Sequence, residues 1–205
     1  MPKYLICGID EVGRGALAGP ILAVATLFKI NYKDSIFTKE SPIDGVNDSK
    51  KLSSHGLRRK VFHKILRHTT LIDFGIGEVS ERIIDQEGID WANKMAFRRA
   101  IDDLCDKPDY ILVDGINIVP GVDPRIQILT PKGDGIYWPV GAASILAKVI
   151  RDEFMIELGK DYPLYQWARN AGYGTKAHNQ VLKKLGPTPH HRMGFVKDIL
   201  NDKNE

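Results

Sequence analysis

Cysteine is scarce in this chain. Cys7 and Cys105 stand far apart and form no CxxC pair, which argues against a disulfide scaffold and against the common zinc and dithiol motifs. Cys7 lies in an apolar run and Cys105 at a helix end, so both read as buried thiols in a reducing compartment. Long apolar runs are missing too, and nothing approaches the ~20 residues a membrane-spanning helix needs. Met1 leads through Pro2-Lys3 into an apolar run too short for a signal h-region, so a cytoplasmic protein is expected. Neither sign of charge dominates: 29 basic and 26 acidic residues leave a net charge of +3. That balance alone does not separate a nucleic-acid binder from an ordinary soluble protein; only clustering decides. Repeats, low-complexity segments and clear linkers are also absent.

What is present is enough for a real core. The 205 residues suggest one domain, or one domain plus a small helical appendage. Residues 3–9 and 21–28 are rich in β-formers and read as an antiparallel pair of strands. Residues 29–52 read as a loop ending in Asn47-Asp48-Ser49-Lys50-Lys51-Leu52. Ser53 or Ser54 can cap a basic helix running to about His68, with Leu57, Val61, Ile65 and Leu66 on its apolar face. Leu71 to Val79 reads as a third strand in which Gly75 and Gly77 mark weakness or a close approach. A helical stretch follows from Ser80, and Asp90 can cap another helix that ends before Lys107-Pro108. Tyr110 to Asp114 is a compact apolar strand, and Ile126 to Leu129 a further one. Val140 to about Gly159 is the strongest helix pattern, with Ala142, Ala143 and Ser144 allowing close packing. The tail adds a helix from Thr175 to about Leu185.

Four carboxylates end apolar runs or sit in glycine loops: Asp10, Glu11, Asp114 and Asp134. Carboxylates are the donors a hard divalent cation such as Mg²⁺ takes, and two-metal phosphoryl transfer needs several. Each alone also fits a turn residue or a cap. Asp114 fits this less well, because an aspartate closing a buried strand is costly unless paired or metal-bound. Asp10 and Glu11 are adjacent, and neighbours in a strand point to opposite faces. They serve one site only if the strand ends or bulges there.

Gly13-Arg14-Gly15-Ala16-Leu17-Ala18 also fits a dinucleotide fingerprint, but a β-rich run rather than a helix follows it. Lys50, Lys51, the helix charges from Arg58 to Arg67, and Lys176, His191 and Arg192 are candidate phosphate contacts; most of the helix charges read as a solvated face. Tyr173, between two glycines, is placed to stack on a sugar or base, or to anchor its loop. His190-His191 lacks partners at zinc spacing.

Taken in order, Gly8-Ile9-Asp10-Glu11-Val12-Gly13-Arg14-Gly15 with Gly19-Pro20, Asp48-Ser49-Lys50-Lys51-Leu52, Val113-Asp114-Gly115, Lys132-Gly133-Asp134, Ala142 to Val149 with Arg151-Asp152, Gly172-Tyr173-Gly174-Thr175 and His191-Arg192 resemble bacterial ribonuclease HII over nearly the whole chain. The resemblance implies an α/β ribonuclease H-like fold with a mixed central β-sheet flanked by helices. It implies one catalytic domain over residues 1–205, in which 160–205 form a helical C-terminal extension that contributes to substrate binding. Asp10, Glu11, Asp114 and Asp134 match the catalytic, metal-binding carboxylates, with two Mg²⁺ or Mn²⁺ ions per site. Gly13, Arg14 and Gly15 match the segment that reads the ribose 2′-hydroxyl. Tyr173 matches the residue packing on the deoxyribose beyond an RNA to DNA junction, and Lys50 and Lys51 fall at backbone-phosphate contacts. Asp152 reads as structural. The implied partners are RNA/DNA hybrids and duplex DNA carrying ribonucleotides; the implied reaction is hydrolysis 5′ to a ribonucleotide, leaving 3′-hydroxyl and 5′-phosphate ends. A monomer without an evident protein partner is expected. Val12, Gly141, Asn170-Ala171 and Met193-Gly194 depart from the family pattern, and the last two pairs suggest weaker phosphate contacts in the tail. A different metal-dependent nuclease of the same general fold and a non-catalytic nucleic-acid binder are the alternatives.

Overall fold

The structure, a computed structural model, describes residues 3–31, 40–46, 52 and 54–201. Five strands, β1 (Lys3–Val12), β2 (Ile21–Asn31), β3 (Leu71–Val79), β4 (Tyr110–Asp114) and β5 (Gln127–Thr130), form one sheet in the order β3-β2-β1-β4-β5. β1 pairs antiparallel with β2 and parallel with β4; β3 adds antiparallel and β5 parallel. The sheet is therefore mixed, with β1 at its centre, as the resemblance implies.

Helices cover both faces. α1 (His55–Leu66), α2 (Glu81–Glu87), α3 (Ile89–Asp102) and α4 (Trp138–Asp161) are followed by the tail helices α5 (Trp167–Asn170), α6 (Lys176–Leu185) and α7 (Met193–Asn201). One core packs α4 against Ile6, Val24 and Phe28, where the Phe28 and Trp138 rings meet edge to face at 4.5 Å. The other packs Ala92, Ala96, Phe97 and Ala100 of α3 against Cys7, Ile9, Ala25 and Val113. Alternate residues of β1 thus feed opposite layers, as the period of two in a strand requires. Each large apolar side chain so buried contributes about 1.5–3 kcal/mol. Gly75 and Gly77 mark a close approach: a Cβ at Gly77 would lie 1.9 Å from the Ala96 carbonyl oxygen of α3.

Several boundaries move. β1 and β2 extend three residues beyond the runs rich in β-formers, and α4 is longer by a turn shared between its ends. Ser54 caps α1, accepting from Leu57 N–H at 3.2 Å, yet Leu57 and Leu66 remain exposed and only Val61 and Ile65 are buried. Gly88, not Asp90, precedes α3 at φ +85, leaving Asp90 in the first turn with its carboxylate free to reach outward. Cys105 is exposed rather than buried, while Cys7 is buried as expected. Thr175 caps α6 by accepting from His178 N–H. Among the described residues no helix is long and apolar enough to cross a membrane.

The tail forms a third, smaller core of Tyr165, Trp167, Leu182 and Val196, closed by Leu17, Ala18 and Met155. Asp85 of α2 ties the tail to the main body by accepting from the Met193 and Gly194 N–H groups at 2.7 and 2.9 Å. The departure at Met193-Gly194 therefore sits at a capped helix start.

Candidate active site

β1 carries Asp10 and Glu11 past the end of its parallel neighbour. The β1–β4 ladder stops at Ile9↔Val113, whereas β1 stays paired with β2 through Val12↔Leu22 without a register shift. No bulge brings the two carboxylates together; of the two routes expected, it is the end of the strand, at Val12 directly after Glu11, that applies. Residues 10–12 overhang β4, whose own last residue is Asp114, so that both Asp10 and Glu11 feel the Asp114 charge at the end of the sheet.

Asp10 is buried and receives the Ser144 hydroxyl of α4, while the Glu11 N–H donates to its Oδ1 at 2.7 Å. Burial holds its pKa well above the ordinary carboxylate range, and repulsion from Asp114 and Glu11 adds to the shift. Glu11 is raised to about 7, first by burial and then by Asp114, with Arg14 working against both. Asp114 accepts from the Gly133 N–H at 2.8 Å. That bond holds the turn Gly133–Gly135, which carries the half-buried Asp134, against the end of β4.

Among the described residues, no three His, Cys, Asp or Glu groups are already drawn together closely enough to hold an ion. The donors nevertheless suit a hard divalent cation. Asp10 and Glu11, both pushed up by the nearby Asp114 charge, mark a place where added positive charge is favourable, and Mg²⁺ commonly binds through one or two carboxylates plus water and substrate phosphate rather than in a complete protein cage.

The turn after β1 stands beside these carboxylates. Gly13 adopts φ +86, and a Cβ there would lie 2.2 Å from Arg151 Nε; both features demand glycine. Its N–H donates to the Tyr173 hydroxyl at 3.1 Å. The N–H groups of Arg14 and Gly15 have no partner among the described residues. Arg14 points its guanidinium to Asp90 at 2.5 Å, both side chains being largely solvated. Tyr173 is half-buried, with Arg151 and Lys148 lying 5.5 and 5.8 Å from its ring centroid. Lys50 and Lys51 lie outside the described residues.

Two buried arginines hold this turn to the tail. Arg151 donates to the carbonyls of Pro20, Ala18 and Ala171 at 3.2, 3.1 and 2.7 Å. Arg192 donates to those of Gly19 and Arg14 at 2.9 and 3.0 Å. Backbone bonds from Leu17 and Ala18 to the Gly172 carbonyl run alongside them. Arg192 and His191 are buried and so do not meet phosphate, contrary to expectation. The sequence offered one signal: Arg151 stands at helical spacing between Ala147 and Met155, on the face that α4 buries. Ser144, read only as a small packing residue, gave none.

His191 belongs to a buried network. It accepts Thr188 N–H on Nδ1 at 2.9 Å, so its Nε2–H faces His178 Nε2 at 3.1 Å, and His178 Nδ1–H reaches the Tyr173 carbonyl at 3.0 Å. These tautomers, assigned from the bonds, require both rings to be neutral. Burial lowers both pKa values, His191 to about 4. Asn170 holds the preceding turn, donating to Tyr165 O and accepting from Gly172 N–H. The departure at Asn170-Ala171 is thus a turn built by side chain and backbone. Asp152 is ion-paired with Lys148 at 2.6 Å.

A family model described as Ribonuclease HII matches residues 7–198. A ribonuclease HII of Caldicellulosiruptor bescii is 40% identical over 197 residues, covering 96% of this chain and 88% of the relative. One of Clostridioides difficile is 44% identical over 195 residues, covering 95% and 71%. Among solved structures, the ribonuclease H2 of Pyrococcus horikoshii superposes with a TM-score of 0.73 at 26% identity, covering 96% of this chain and 97% of that one.

Proposed function

The chain belongs to the ribonuclease HII family, an endonuclease of the ribonuclease H class acting on RNA/DNA hybrids, and on that premise we propose that it also hydrolyses the phosphodiester 5′ to ribonucleotides embedded in duplex DNA. The products are 3′-hydroxyl and 5′-phosphate ends. The observation that carries the reading is the placing of Asp10 and Glu11 within reach of the Asp114 charge, directly before a glycine turn whose Arg14 and Gly15 amides have no partner among the described residues.

Asp10, Glu11, Asp114 and Asp134 hold the metal. When bound, two Mg²⁺ or Mn²⁺ ions supply activation of the attacking water and neutralisation of charge on the leaving 3′-oxygen. The protein's own part is orientation. The Ser144 hydroxyl and the Glu11 N–H fix the Asp10 carboxylate, and the Gly133 N–H fixes that of Asp114. Gly13, Arg14 and Gly15 read the ribose, the amides of Arg14 and Gly15 being donors for a 2′-hydroxyl, the group that separates RNA from DNA. Tyr173, held by the Gly13 N–H, supports the adjacent sugar, and Lys50 and Lys51 contact backbone phosphate. The extension from residue 160 acts within the same catalytic domain, a role supported by its closure over Leu17 and Ala18.

The test is a duplex containing one ribonucleotide, incubated with Mg²⁺ or Mn²⁺. Incision on its 5′ side with a 3′-hydroxyl product is expected. Equal cleavage of an all-DNA duplex contradicts the reading, and tight binding without cleavage identifies a binding protein.

A further inference from the structure

A cavity of about 280 Å³ is lined in part by Tyr173, and none of Asp10, Glu11, Asp114 and Asp134 is in its walls. Its walls include His55 and Arg58 of α1, Lys148 and Asp152 of α4, and Arg169 of α5. The charges do not balance. Asp152 supplies the one carboxylate among these lining residues, against the fixed positive charges of Arg58, Lys148 and Arg169. Lys148 Nζ lies 2.6 Å from its Oδ1, Arg58 Nη2 3.7 Å and His55 Nδ1 3.9 Å from its Oδ2. Arg169 is exposed and has no side-chain partner among the described residues. Arg58 Nε and His55 Nδ1 are buried without a hydrogen-bond partner. An Arg Nε–H has no acceptor role and no neutral form at ordinary pH, so its burial without a partner is costly unless an anion or carbonyl arrives.

We propose that this cavity is a phosphate subsite, binding the non-bridging oxygens of one backbone phosphodiester of the substrate strand, one or two phosphates from the scissile one. Its position along α4 sets the distance. Ser144 reaches Asp10, and Lys148 is four residues further on, about 6 Å along the helix axis, a span of one or two nucleotides at the duplex's axial rise of about 3.4 Å for each. Tyr173 joins the two places, its ring lining the cavity and its hydroxyl held by Gly13. A guanidinium fork suits a tetrahedral anion. Asp152 then orients the cations rather than competing for them, since it already accepts from Lys148. The proposal rests on the ribonuclease reading for the identity of the strand.

The test pairs protein variants with neutral phosphates. Binding of a duplex with one ribonucleotide, in Ca²⁺ and read by fluorescence anisotropy, is compared with duplexes carrying a single methylphosphonate at each flanking position. The wild type should lose roughly fivefold to tenfold in affinity at one position near the scissile phosphate. Arg58→Gln should bind as weakly on the unmodified duplex, become insensitive at that position alone, and show a salt slope smaller by about one. Arg169→Gln, which breaks no described contact, should show the same selective loss at smaller size, so a folding defect in Arg58→Gln does not decide the outcome. Variants that keep wild-type affinity, or remain as sensitive at every position, overturn the subsite. A wild type that shows the position-specific loss but never cleaves overturns the ribonuclease reading and keeps the subsite. One that cleaves without any such position does the reverse.

Discussion

Arg151→Met should loosen the ribose-reading turn more than it damages the fold. The guanidinium is fully buried and serves three carbonyls on two segments, residues 18–20 before β2 and Ala171 in the tail. Removing it orphans those acceptors at about 1–3 kcal/mol each. Part of that loss is offset, because burying a guanidinium is itself unfavourable by several kcal/mol, and burial lowers the Arg151 pKa accordingly. Methionine fills much of the volume, so the net destabilisation is about 2–4 kcal/mol. For 205 residues this lowers Tm by about 5–15 °C. The functional effect is local: Gly13 loses the wall against which it packs, and the Gly13–Tyr173 bond loses its support. Initial rates on a single-ribonucleotide duplex should show KM raised about tenfold or more, with kcat reduced less. Arg151→Lys should recover part of the stability and little of the KM, because one ammonium does not span three divergent carbonyls. A folded Arg151→Met with wild-type KM refutes the claim that this residue positions the turn.

The neutral His178–His191 pair predicts acid sensitivity. His191 falls to about 4 in the folded state from 6.5, so below pH 6.5 the unfolded chain binds a proton that the folded chain refuses. The stability this pair contributes is complete above pH 6.5 and drains away as pH falls towards 4, by about 3 kcal/mol for His191. Glu11, raised to about 7, titrates with the opposite sign, so the measurement is the difference in urea-unfolding free energy between wild type and His191→Gln from pH 7 to pH 4.5. A difference independent of pH refutes the neutral-pair assignment. Gly77→Ala should cost about 3 kcal/mol or more, because its Cβ meets the Ala96 carbonyl, backbone against backbone, in a packed interface that cannot yield cheaply; urea midpoints check it. Asp85→Ala should cost about 0.5–2 kcal/mol by uncapping α7, with increased amide exchange confined to residues 193–201.

The sheet was legible because β1, β2 and β4 are short apolar runs whose lengths and flanking glycines leave few alternatives. The antiparallel β1–β2 pair, the close approach at Gly75 and Gly77, and the long packed helix α4 all follow from local pattern. The way Asp10 and Glu11 share one neighbourhood was not legible, since it depends on where β4 stops relative to β1, a question of register that no local pattern encodes. Arg192 and His191 read as phosphate contacts because a basic pair in a glycine- and proline-rich tail is normally solvated. Only the third core, formed by residues more than 140 positions from Leu17 and Ala18, reveals that they are buried. Cys105 misled for a similar reason: a thiol at a helix end is buried only if another element covers it, and none of the described residues does.

The central claim is that the carboxylates at the ends of β1 and β4 carry the chemistry, and Asp114→Asn tests it most directly. The substitution keeps the shape of the side chain and an oxygen able to accept from Gly133, while removing the charge that shifts Asp10 and Glu11. With Mg²⁺ and a duplex carrying one ribonucleotide, the folded variant should lose several kcal/mol of transition-state stabilisation, a fall of about a thousandfold or more in cleavage rate. A folded Asp114→Asn that turns over within about tenfold of wild type contradicts the account.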